Sequence, residues 1–121
     1  LEVDTVLIEN QPALKNPTMK TIQMLLYSYF LIRGVTNESS PIENIEMINA
    51  RNKLKAYKGE PIVCTIKNKY KKTKFLGIQY CKKMIEENEF INSKYKVLFN
   101  HSKKQDDLSD AYLQGMYWFT K

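Results

Sequence analysis

Val3-Asp4-Thr5-Val6-Leu7-Ile8-Glu9 contains an apolar run, Val6 to Ile8, that stops on an acid. Val6, Leu7 and Ile8 put apolar side chains on both faces, as in a central strand covered on both sides, so Val3 to Ile8 is predicted as a strand. Outward from it, Asn10 to Asn16 reads as a loop around Pro12. Asn16 followed by Pro17 is a helix start, because Asn caps and Pro at the first position loses no needed donor. Met19, Ile22, Leu25, Leu26, Tyr29, Phe30 and Ile32 follow helical spacing, and Arg33 and Gly34 are expected to close that helix. Asn37 to Pro41 is a polar turn and Ile45 to Ile48 a short strand.

Asn49 to Tyr57 then reads as a short basic helix or turn, broken by Gly59 to Pro61. Ile62 to Ile66 is short, apolar and β-branched, and its periodicity does not decide between helix and strand. Lys67 to Glu87 reads as a helix with an irregular apolar stripe through Tyr70, Phe75, Leu76, Ile78, Tyr80, Cys81, Met84 and Ile85. Phe90 to Phe99 has no clear pattern. A last helix opens at Asp106 or Asp107 and runs to about Thr120. Strands alternating with helices imply an α/β layer architecture, and 121 residues suit one domain.

Hydrophobic residues make up 43% of the chain, enough for a packed core and more than a disordered chain holds. Formal net charge is +6, but it is unevenly spread. Residues 51–104 hold fifteen Lys or Arg against four acids, a balance of +11, and the rest of the chain is −5. A basic middle beside acidic ends suits a polyanionic substrate and a cation-dependent site; a solubilising Lys-rich face has the same composition. Cys64 and Cys81 show no metal-ligand spacing, so a reducing, intracellular location is the default. No apolar run is long enough for a membrane span, and no signal peptide is evident.

Three sets of residues could carry chemistry. Glu9 ends an apolar strand, and ligands of open α/β sheets bind at the carboxyl ends of strands. A solvated strand-end residue is the plain alternative, since an unpaired buried carboxylate is costly. Asp107 and Asp110, at i and i+3, share one face of the last helix; acids in a first turn are also ordinary partners of the helix dipole. Leu108, Ala111, Tyr112, Leu113, Met116, Tyr117, Trp118 and Phe119 cover much of that helix, which predicts its burial. Gly115, unfavourable in a helix interior by roughly 1 kcal/mol, suggests a close neighbour there. A strand-end Glu and a helix-start Asp pair, brought together by folding, would form an all-oxygen site of the kind hard cations such as magnesium prefer. Two such ions about 4 Å apart can activate water and stabilise the leaving oxygen in phosphodiester cleavage. His101 and Asp106 are accessory candidates; a lone His is more often structural.

Three segments in order resemble RuvC-type Holliday junction resolvases, in the branch found in poxviruses and other large DNA viruses. VLIENQPALKNPTMKTIQMLLYSYFLIRG, residues 6–34, resembles that family's strand, acidic strand end and following helix. INARNKLKAY, residues 48–57, resembles its next strand and basic connection. KKQDDLSDAYLQGMYWF, residues 103–119, resembles its last helix with a D-x-x-D-A signature. Together they cover about half the chain; Gly59 to Phe99 matches only loosely.

The resemblance implies an RNase H-like fold, a central mixed sheet flanked by helices, with residues 1–121 as the C-terminal portion of one resolvase domain. It implies a homodimeric, magnesium-dependent endodeoxyribonuclease, manganese being the other candidate ion, that resolves four-way DNA junctions in recombination and repair. For a viral protein it would work where viral DNA replicates. Glu9, Asp107 and Asp110 would be the metal carboxylates. Arg51, Lys53, Lys55, Lys69, Lys71, Lys72 and Lys74 would meet phosphates, contacts that confer affinity rather than base reading.

The family's first catalytic Asp lies on a strand upstream of the Glu strand. Asp4 does not replace it: an odd offset of five from Glu9 faces the other side of a sheet, roughly 16 Å away. The N-terminal strands are therefore expected outside this chain, with three of four metal carboxylates inside it. A non-catalytic nucleic-acid-binding module would use the same basic middle, with the aspartates as caps, and another RNase H-like nuclease would share the fold.

Overall fold

A computed structural model describes residues 2–121. The chain divides into two compact units, residues 1–50 and 51–121, where the sequence is read as one domain.

The first unit is a β–α–β arrangement. Strand β1, Thr5–Glu9, starts later than predicted and takes in Glu9; β2 is Asn44–Ile48. They pair in parallel, Thr5 beside Asn44 and Glu9 beside Ile48, so both carboxyl ends lie at one edge. The parallel pairing requires a crossover, which helix α1, Pro17–Phe30, and a π-helical turn, Leu31–Val35, supply. Asn16 caps α1 as predicted, its side chain accepting the Met19 N–H at 3.2 Å. Among the described residues the sheet is this parallel pair, a smaller element than the central mixed sheet of the expected fold.

Two features of α1 differ from the prediction. Gly34 does not end the helix in a left-handed cap, since no glycine of the described residues has positive φ. It lies within the π turn, and a Cβ there would sit 3.1 Å from the Ile42 Cβ, so its smallness admits the buried Ile42. The apolar stripe is also largely uncovered: Ile22, Leu25, Leu26, Tyr29 and Ile32 are exposed, and the buried residue of α1 is Gln23.

The second unit is helical. A 3-10 helix, Ala50–Ala56, leads into it, followed by α2 (Lys69–Glu87), α3 (Ser93–His101) and α4 (Gln105–Thr120). Ile62 to Ile66 joins no sheet. On α2 the buried positions are Gly77, Cys81 and Ile85, an i, i+4, i+8 stripe. They meet Leu113 of α4, Phe99 of α3 and Ala56 in the core, where Cys81 and Leu113 are fully buried. The uncertain segment before Phe99 is thus a helix, capped by Asn92, whose side chain accepts the Lys94 N–H. Gln105 turns the corner into α4, its side-chain amide donating to the Phe99 carbonyl that ends α3.

The last helix is less buried than its composition suggests: Leu108 and Phe119 are exposed, and Ser109, Leu113 and Gln114 form its buried face. Gly115 has no close neighbour, for a Cβ there would meet nothing within 4 Å. Tyr112, Met116 and Tyr117 are half-buried and pack against the core from the flank of the helix. Tyr70, read as part of the α2 stripe, is 75% exposed.

Candidate functional site

In the first unit, Glu9 is half-buried at the carboxyl end of β1, beside the end of β2. The chain leaving it is held from both sides. The Asn10 N–H donates to the Ile48 carbonyl at 2.8 Å, which extends the ladder past Glu9. The Gln11 N–H donates to the Gln23 side-chain oxygen at 2.7 Å. The amide of Gln23 in turn donates to Asn10 Oδ1 and to the Met47 sulfur. Lys20 also reaches Asn10 Oδ1, at 2.9 Å. Gln23 is 3% exposed, so these bonds stand in a poorly solvated place, where losing one is expensive. The acidic strand end is a framed position, and the frame is a polar residue of α1 that periodicity does not single out. Its sequence signal is one Gln within an apolar helix face.

In the second unit, three elements converge on a cavity of about 160 Å³. Lys53 comes from the 3-10 helix, Tyr70, Thr73 and Lys74 from the first turns of α2, and Asp106 and Asp110 from the start of α4. Lys53 Nζ lies 2.7 Å from Asp110 Oδ1, and Lys74 Nζ lies 3.1 Å from Asp106 Oδ2. The Lys74 ammonium holds the Asp106 carboxyl below its ordinary range, mainly through their hydrogen bond, and that bond raises the lysine in return.

The cluster regroups the predicted residues. Its carboxylates are Asp106 and Asp110, at i and i+4, whereas Asp107 points to Lys104, an exposed pair at 3.4 Å. Asp106, an accessory candidate in the sequence, is a principal member. Lys53 and Lys74, predicted as phosphate contacts, are engaged by aspartates. Arg51, Lys55, Lys69, Lys71 and Lys72 are exposed. His101 stands apart from the cavity lining; it ends α3, with Nδ1 2.9 Å from the Val97 carbonyl oxygen.

Every donor of the expected metal centre is a carboxylate oxygen, the donor type that magnesium takes. Glu9 belongs to the first unit, Asp107 and Asp110 to the second. Among the described residues no three His, Cys, Asp or Glu side chains gather where an ion could be held. The donor chemistry fits a hard cation; within the second unit the aspartates meet ammonium groups.

Fold and site define a class, a helix-rich mixed α/β protein with a parallel strand pair, a basic surface and an Asp–Lys cluster. The particular likeness is to the uncharacterized protein L451 of Acanthamoeba polyphaga mimivirus, 44% identical over 128 residues. That alignment covers 98% of this chain and 29% of the mimivirus protein, so the chain spans under a third of that relative. No protein-family model matches, and no solved structure matches. Among the described residues no helix is long and apolar enough to cross a membrane.

Proposed function

We propose that this chain is the carboxylate- and lysine-bearing part of an RNase H-like, magnesium-dependent endonuclease that resolves four-way DNA junctions. The observation that carries the reading is the framed strand end. Glu9 closes a parallel strand at the edge where α/β folds bind ligands, and buried Gln23 fixes the chain immediately after it. The resemblance to RuvC-type resolvases and the +11 balance of residues 51–104 point the same way. The 44% identity with a mimivirus protein is compatible with a viral member working where viral DNA replicates.

In this reading Glu9 of the first unit and Asp107 and Asp110 of the second are the candidate magnesium ligands, and the ion when bound would activate a water and counter the charge on the leaving oxygen. The exposed lysines near the start of α2 neutralise phosphates. The protein acts as a homodimer, one subunit for each of the two strands cut, and the exposed apolar face of α1 supports that state.

The test is cleavage of a synthetic four-way junction in magnesium by the whole protein that carries this chain. Glu9→Gln and Asp107→Asn should abolish cutting and leave junction binding intact; cutting at the normal rate by either variant would refute the metal assignment. A second reading is favoured by one specific observation, that Asp106, Asp107 and Asp110 each meet a lysine. It makes the chain a non-catalytic nucleic-acid-binding module. Tight, salt-sensitive binding without magnesium-dependent cutting would select it. Preference for an RNA–DNA hybrid over the junction would select a different RNase H-like nuclease.

A further inference from the structure

Residues 61–67 run between the 3-10 helix and α2 without a turn, a bend or a sheet partner. Their exposure alternates strictly. Pro61, Val63, Thr65 and Lys67 are exposed, and Ile62, Cys64 and Ile66 are half-buried. A period of two belongs to an extended strand with one face against the protein. Val63, on the open face, is 86% exposed. Four of the five residues 62–66 are β-branched, the side chains that strands favour. Yet among the described residues no hydrogen bond engages a backbone N–H or carbonyl of residues 62–67. Backbone donors and acceptors in this state are the open edge of a strand.

An open edge is completed by another strand. Two features select a second copy of this chain as its source. Ile62-Val63-Cys64-Thr65-Ile66 is symmetric in shape about Cys64. Antiparallel two-fold pairing centred there sets Ile62 against Ile66 and Val63 against Thr65, every pair β-branched, with Cys64 opposite its own counterpart. Charge selects the same direction. Glu60 precedes the segment and Lys67 follows it. Antiparallel strands bring these opposite charges together at both ends, whereas parallel strands set like against like. We propose that residues 62–66 pair antiparallel with the same residues of a second copy, Val63 and Thr65 exchanging the backbone bonds. Pro61, which lacks an N–H, ends the ladder. The inference gives the homodimer of the reading above a contact surface, but it stands on this segment and does not need the nuclease activity.

The experiment uses the whole protein that carries this chain. Sedimentation equilibrium over a range of concentrations should show a reversible dimer. Thr65→Pro removes an N–H that has no partner within the described residues, so the monomer should keep its helical circular dichroism. The dimer should weaken by about tenfold or more, since the two-fold axis doubles the lost bond. A second readout needs no variant that disturbs the backbone. Cys64 and its counterpart occupy a non-hydrogen-bonded position, where opposed side chains are close enough for a disulfide. Diamide, which takes one hydrogen from each of two thiols and leaves them bonded, should link two wild-type copies through Cys64 and leave Cys64→Ser unlinked; peptide mapping identifies the bridge. Fully buried Cys81 should not react. A dimer that Thr65→Pro leaves unchanged, a dimer without the Cys64 bridge, or a monomer at every concentration would each overturn the pairing. Junction cleavage is assayed in the same preparations: magnesium-dependent cutting by protein that fails these tests would sink the strand pairing and leave the nuclease reading standing.

Discussion

Lys53 Nζ and Asp110 Oδ1 are 2.7 Å apart across 57 residues of chain. The contact ties the 3-10 helix to the second turn of α4. Lys53 is 16% exposed and Asp110 38%, so the pair is neither a fully solvated ornament nor a deeply buried charge. Its nearest counterpart, Lys74 with Asp106, lines the same cavity.

The Lys53–Asp110 bond should have a measurable coupling. A double-mutant cycle with Lys53→Met and Asp110→Asn, read by urea unfolding, is expected to give about 1 kcal/mol, shrinking in high salt. Zero coupling in low salt would mean that the two charges do not constrain each other in solution.

Two glycines should respond in opposite directions to the same substitution. Gly34→Ala brings a Cβ to 3.1 Å from the Ile42 Cβ, an atom no rotamer change can move, and should destabilise by about 1–3 kcal/mol. Gly115→Ala meets nothing within 4 Å in a helix interior and should stabilise by about 1 kcal/mol. Thermal melts of the two variants check both signs.

Gln23→Leu keeps the size of the side chain and removes the acceptor of the Gln11 N–H together with the donor to Asn10. The expected loss is about 1–3 kcal/mol, from polar groups left unsatisfied beside the buried site. Hydrogen exchange at the Gln11 amide should accelerate in the variant. An unchanged rate would mean that the strand end is framed by other contacts.

Stability should fall in alkali through Cys81. Burial pushes its thiol from 9.0 up to about 11, with hydrogen bonding to Ser109 opposing the shift. The folded form therefore holds its proton at pH values where the unfolded thiol has released it. The contribution is complete below about pH 9 and is lost as pH rises toward 11. Cys81→Ala should remove this slope from the pH dependence of the urea midpoint, while other alkaline groups keep theirs. Asp106 acts in the opposite range. Its lowered carboxyl stabilises above the ordinary value of 3.8, and that effect fades as pH falls through the folded value.

Much of the local structure was legible because its causes are local. Asn16 and Pro17 start α1 through one capping bond and one missing donor, and both are properties of adjacent residues. The strand at Thr5–Glu9 is legible because Val6, Leu7 and Ile8 put apolar side chains on both of its faces. The lysines of residues 67–74 are exposed because long cationic stems near a helix start find water readily.

What the chain order could not disclose depends on distance in space. Gly34 reads as a helix-closing residue and Gly115 as the mark of a close neighbour, yet Gly34 faces Ile42 within a π turn and Gly115 faces nothing, a difference set by what packs opposite. Gln23 looks like a polar interruption, and only its placement under the turn after β1 makes it the clamp of the strand end. The sequence groups Asp107 with Asp110 by helical spacing. Tertiary packing brings Lys53 and Lys74 up to α4 and sorts Asp110 with Asp106 instead, because an ion pair forms where the partner's backbone happens to lie. Sequence alone thus determined which residues carry charge and roughly where α1, α2 and α4 begin, and the fold decided which charges meet.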